Sequence, residues 1–104
     1  MQKTVIVDDI CYEVIKNYKD AFQEDLFLEK VTSYFLPYDY IVGDIAYNKL
    51  RLKGFYDKTN NKAKKINNYV FLEKYLKENC AVDCRYFVLK KKEKNNFYSI
   101  RLFG

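Results

Sequence analysis

Hydrophobic and polar positions along the chain switch between a two-residue and a helical period. Thr4–Val7 and Ile10–Ile15 are rich in β-branched residues and flank Asp8-Asp9, a turn pair, which predicts a hairpin. Ile10, Tyr12 and Val14 fall on one of its faces, Cys11 and Glu13 on the other. From Asp20 to Leu36 the period is helical, with Phe27, Val31, Tyr34 and Phe35 as the apolar stripe. Asp20 or Gln23 can cap its start, Glu24 and Asp25 suit the positive end of the helix, and Pro37 stops it. Tyr38–Tyr56 then reads as two strands, Tyr40–Val42 and Lys49–Phe55, joined through a connection around Gly43–Asn48. In the second strand Leu50 and Leu52 point to the core, while Lys49, Arg51, Lys53 and Phe55 share a face that the alternation leaves in water. The polar, basic stretch Asp57–Lys65 is a surface loop. Asn67 or Asn68 can cap a second helix reaching about Asn79, with Val70, Phe71, Leu72, Tyr75 and Leu76 on its buried side. Two further strands, Arg85–Lys90 and Phe97–Phe103, close the chain.

The sum is ββ-α-ββ-α-ββ: an α+β fold, a mainly antiparallel sheet of about six strands with two helices packed on one face. With 104 residues there is room for one core, so residues 1–104 form a single domain. Hydrophobic residues at 49% with only three glycines and one proline exclude a disordered chain. The absence of a long apolar run excludes a membrane-spanning helix. An odd cysteine count, three, without secretory features indicates a reducing cytoplasm. The net charge of +5 admits nucleic acid or another polyanion, although Lys, Asn, Ile, Tyr and Phe are also what AT-rich codons supply.

Candidate chemistry narrows quickly. The chain has no histidine, which removes Ser-His-Asp and Cys-His catalysis and any His-containing zinc site. Cys80 and Cys84 stand four apart around a helix end, where packing is the ordinary role, and with Cys11 they remain short of the four ligands of a closed zinc site. The acids Asp39 and Asp44 lack the partner spacing of a metal-dependent nuclease, since Arg51 stands two positions before Lys53. Asp44 after Gly43 suits a turn. No cofactor, metal or catalytic residue is therefore expected. Electrostatics remains. Lys49, Arg51, Lys53 and Phe55, with Arg85, Lys90, Lys91, Lys92, Lys94 and Arg101, form a basic surface bearing Phe55, Phe97 and Phe103 if the central and final hairpins are neighbours. Cations beside exposed aromatics suit RNA through phosphate contacts and base stacking. The expected function is a non-catalytic binding module associated with RNA or the ribosome; the alternative is an adaptor that docks a protein partner through the same aromatic face.

Two blocks carry a family resemblance: YDYIVGD followed by LRLKGFY at 38–56, and C-x-x-x-C-x-YFVL from Cys80 through Cys84 to Leu89. Their order and spacing over roughly residues 22–90 resemble the YutD-like proteins of bacteria. The resemblance implies a small cytoplasmic α+β domain without an assigned activity, and marks Asp39, Tyr40, Gly43, Asp44, Gly54, Cys80 and Cys84 as its motif positions. The chain departs from the pattern at Ile45-Ala46, where a Trp and a small residue often follow the Gly-Asp pair. It departs again at Asp83, where a glycine usually precedes the second cysteine.

Overall fold

The computed structural model describes residues 3–79 and 84–92. Five strands and two helices follow in the order β1 (Thr4–Val7), β2 (Ile10–Tyr18), α1 (Glu24–Lys30), β3 (Tyr40–Ala46), β4 (Lys49–Phe55), α2 (Leu72–Asn79) and β5 (Arg85–Lys91). The strands form one sheet in the order β1-β2-β5-β3-β4, every neighbouring pair antiparallel. The α+β class and single antiparallel sheet are as the sequence predicts. The sixth strand, Phe97–Phe103, lies outside the described residues.

Both hairpin turns are two residues long and left-handed. Asp8-Asp9 has φ of 49° and 68°, and Tyr47-Asn48 has 54° and 63°. This mirror-image turn matches the right-handed twist of the flanking strands, and Asp and Asn tolerate it better than most residues. The second turn lies later than the sequence predicts. β3 runs on through Gly43-Asp44-Ile45 to Ala46, so Asp44 is a mid-strand residue and no turn former. β2 likewise continues past Ile15 to Tyr18, through an irregularity between Val14 and Lys16.

The long first helix is cut short. α1 has seven residues, its C-cap Val31 is extended, and Ser33–Phe35 makes a separate 3-10 turn. Val31, Thr32 and Ser33 explain the break: two β-branched residues and a serine all trade helix for extended or turn backbone at little cost. Only Phe27 of the predicted stripe is fully buried, and Tyr34 is exposed. α2 is preceded by a 3-10 turn at Tyr69–Phe71, which Asn68 caps by accepting the Val70 N–H at 3.0 Å. Leu72 is buried and Tyr75 and Leu76 pack on the core, whereas Val70 and Phe71 stay exposed.

The two helices do not share a face of the sheet, as the sequence pattern suggested; they lie on opposite faces. Phe27 packs with Phe22, Ile41, Phe87 and Leu89, and Val31 against them. Leu72, with Tyr75 and Leu76, packs with Tyr40, Val42, Phe55 and Val88. Because side chains alternate along a strand, Ile41 and Val42 of β3 must face opposite ways. The run Tyr40–Asp44 is accordingly buried without a break, the signature of a strand covered on both faces.

Candidate functional site

β4 ends the described sheet, and its two faces meet different neighbours. On the α1 side stand Leu50, Leu52 and Gly54; on the α2 side stand Lys49, Arg51, Lys53 and Phe55. The second set was expected to form a free basic and aromatic surface, and the structure assigns most of it to the fold. Phe55 is 1% exposed beneath α2, edge-on to Tyr75 at 5.6 Å. It offers no stacking platform. Arg51 is paired with Asp44, its cross-strand neighbour, through Nη2 to Oδ2 at 2.5 Å and Nε to Oδ1 at 3.3 Å. The same guanidinium donates to the Asn79 carbonyl at 2.7 Å, closing the last turn of α2. The bond to Asp44 holds Arg51 above its ordinary pKa. Lys53 lies with Nζ 5.1 Å from the Phe55 ring centre and 5.5 Å from that of Tyr75, a cation over two aromatic faces.

The β5 cations are similarly engaged. Arg85 donates to the carbonyls of Lys19 and Asp20 at 3.3 and 3.1 Å, tying down the left-handed pair that ends β2. Lys91 donates to the Leu36 carbonyl, and burial pulls its pKa below the ordinary value. Lys90 and Lys92 are exposed, as is Lys49. Lys90 pairs with Tyr40 and Lys49 with Ala46, six residues apart along β3, a separation of roughly 20 Å at strand rise. The central strand β3 also stands between β4 and β5. The expected basic patch is therefore divided. Arg101, with Lys94, Phe97 and Phe103, lies outside the described residues.

The motif positions are structural. Tyr40 stacks on Tyr69 with centres 3.7 Å apart and planes 6° apart. Gly43 sits opposite Phe87 in the sheet, and a Cβ there would penetrate the Phe87 ring; one at Gly54 would penetrate Tyr38. Close approach of a ring, with no left-handed backbone, sets both glycines. The Asp39 carboxylate accepts the Asp57 N–H at 2.8 Å and the Asn60 amide at 3.0 Å, holding the loop after β4. Thr59 donates twice to Asp57, whose pKa is lowered by those bonds. Cys84 is disulfide-bonded, a correction to its expected role as packing, and Cys11 carries a free thiol. Cys80 lies outside the described residues.

What pattern reading missed is an apolar strip beside β4. Ile66 is 73% exposed and Tyr34 65%, and Val70 and Phe71 are also exposed. A groove of about 530 Å³ opens on the α2 side, floored by Phe55, Phe71 and Tyr75 and rimmed by Lys53, Lys65, Lys74 and Glu78. A second of about 320 Å³ opens on the α1 side between Tyr34, Phe35, Tyr38, Leu52 and Gly54. Ile66 borders both. The one signal available in the sequence was Ile66 itself, an isolated large hydrophobe at the end of a polar loop.

Residues 6–90 match the family described as "Putative antitoxin YutD-like". The chain is 40% identical over 87 residues to a Bacillus subtilis (strain 168) protein named "Putative antitoxin YutD", a match covering 84% of this chain and 96% of that one. The solution NMR structure of B. subtilis yutD superposes with a TM-score of 0.74 at 39% identity, covering 88% of this chain and 84% of the other. With a match across most of its length in both sequence and fold, the chain belongs to the YutD-like family.

Proposed function

We propose that this protein is a non-catalytic docking module of the cytoplasm that binds and masks a partner protein, an antitoxin-type role, through the apolar strip beside β4. The observation that carries this reading is the exposure of Tyr34, Ile66 and Phe71 along grooves on both sides of β4, the edge strand of the described sheet. Exposed apolar side chains gathered beside shaped concavities mark interaction surfaces. The family description, which names a protein defined by what it neutralises, points the same way. Association with RNA or the ribosome is the weaker reading. It draws on the net charge and on Lys49, Lys90 and Lys92, but these lysines are scattered and Phe55 is unavailable for stacking.

The test is a pull-down from cell extract with and without nuclease, comparing the parent with Ile66→Asp. A protein partner retained after nuclease and lost with Ile66→Asp is the expected result. Release of everything bound by nuclease would overturn the docking reading in favour of RNA.

A further inference from the structure

The side of β4 that faces away from β3 has a definite hydrogen-bonding pattern. Tyr47-Asn48 forms a two-residue turn closed by the pair Ala46–Lys49. In such a hairpin the closing pair exchanges both backbone bonds, and alternate pairs thereafter do the same. Lys49, Arg51, Lys53 and Phe55 therefore spend their N–H and C=O groups on β3. Those of Leu50, Leu52, Gly54 and Tyr56 point away from it. Tyr56 confirms the parity, because its N–H donates to the Asn67 carbonyl at 2.7 Å and its carbonyl accepts the Tyr69 N–H at 2.9 Å. A short parallel bridge thus covers the edge at Tyr56. Among the described residues no strand pairs with the edge at Leu50, Leu52 and Gly54.

From this we infer that β4 accepts an extended segment of the partner protein as an additional strand, with apolar and acidic residues alternating along it. The inference rests on the docking reading above and names the chemistry of what docks. Backbone pairing to Leu50 and Leu52, both partly exposed, supplies the register, as in other cases of strand addition to an exposed edge, and stops short of Gly54, which is buried. Side chains of the added strand alternate between faces. Those on the α1 side lie beside Leu52, Tyr34, Phe35 and Ile66, the apolar part of a groove that Lys53 and Asn67 also line. Those on the α2 side meet a rim in which Lys53 and Lys65 stand beside the Lys74–Glu78 ion pair, so its cations outnumber its one acid. That rim selects carboxylates. A second copy of this chain fits poorly, since two β4 strands side by side would set Lys49, Arg51 and Lys53 of each against those of the other.

The test uses the full chain and an end-blocked peptide, Glu-Val-Glu-Val-Glu-Val-Glu, with a Lys-Val counterpart. Saturable binding should slow amide hydrogen exchange at Leu50 and Leu52 and leave the β1 edge unchanged. N-methylation of alternate peptide residues should abolish binding in one phase and spare it in the other, which a side-chain-only contact would not do. The Lys-Val peptide, and Lys65→Glu against the acidic one, should bind more weakly, the former by about tenfold or more at low salt. No saturable binding, protection elsewhere, or equal affinity for both peptides would overturn the inference. So would amides at Leu50 and Leu52 that are already slow in the free protein, showing the edge occupied by residues 93–104 or by a second copy. Failure here, with a nuclease-resistant partner still lost on Ile66→Asp, removes strand addition and leaves docking intact.

Discussion

The two faces of the sheet treat a deeply buried polar group differently. On the α1 face Tyr12 is fully buried in an apolar cluster with Phe22, Phe27, Phe87 and Leu89, and its hydroxyl has no hydrogen-bond partner among the described residues. On the α2 face Asp44 is 2% exposed and answered by Arg51 in two bonds. The first face is built from ring contacts: Phe87 meets Phe22 edge-on at 5.0 Å and lies over Gly43. The second mixes packing with charge, using Arg51 and Lys53 to complete what α2, only eight residues long, leaves uncovered. A hydroxyl can be left unpaired at a cost of about 1–3 kcal/mol, but a buried carboxylate without a partner costs more. Hence the Asp44 carboxylate requires its cation, whereas the Tyr12 hydroxyl is tolerated without one.

The largest effect should come from breaking the ring contacts. Phe87→Ala removes the side chain that fills both Gly43 and the Phe22–Phe27 cluster, and should cost about 3–5 kcal/mol in urea unfolding. Gly43→Ala, which forces the same ring to move, should cost about 1–3 kcal/mol.

Next is the ion pair. Arg51→Ala strands the Asp44 carboxylate and should cost about 3 kcal/mol, the low end for a broken buried pair because the arginine is itself half exposed. The joint replacement Asp44→Val with Arg51→Leu should recover most of that loss. A double mutant as unstable as Arg51→Ala would mean that the bond to the Asn79 carbonyl, and not neutralisation of Asp44, is what Arg51 contributes.

Tyr12 separates the faces by pH. Burial pushes its pKa from 10.0 up to about 12. A group whose folded pKa lies above its unfolded value gives stability that is complete below pH 10 and lost as pH rises through 12. Two units correspond to roughly 2–3 kcal/mol. Tyr12→Phe removes the unpaired hydroxyl and should therefore stabilise by up to about 1–3 kcal/mol at pH 7, and it should flatten the alkaline loss by roughly 2–3 kcal/mol relative to the parent. Equal alkaline melting of parent and variant would show that Tyr12 ionises freely.

The smallest effects distinguish the two sides of β4. Leu52→Ala should cost about 1–2 kcal/mol, reduced from a full core value because Leu52 is only partly buried. Lys49→Ala, at an exposed position, should stay within about 0.5 kcal/mol. The reverse ranking would mean that Lys49 is packed and Leu52 is not.

Local chemistry along the chain determined much of this. The Asp8-Asp9 turn, the bounds of β1 and β4, the helical stretch ending in Leu72–Asn79, and the motif blocks of the family are legible without neighbours, because period and turn residues act over a few positions. Tertiary structure decided which sides are covered. Alternation in Lys49–Phe55 shows that two faces differ, but whether the Arg51 and Phe55 face meets water depends on α2, contributed from 17 residues beyond the strand's end. The same dependence turned Asp44 from a turn residue into a buried anion, and Arg51, Arg85 and Lys91 from free cations into partners of a carboxylate and of backbone carbonyls. A charge on a strand is legible as a charge; whether it is spent inside the fold or kept for a partner is set by the groups that distant segments bring within hydrogen-bonding reach.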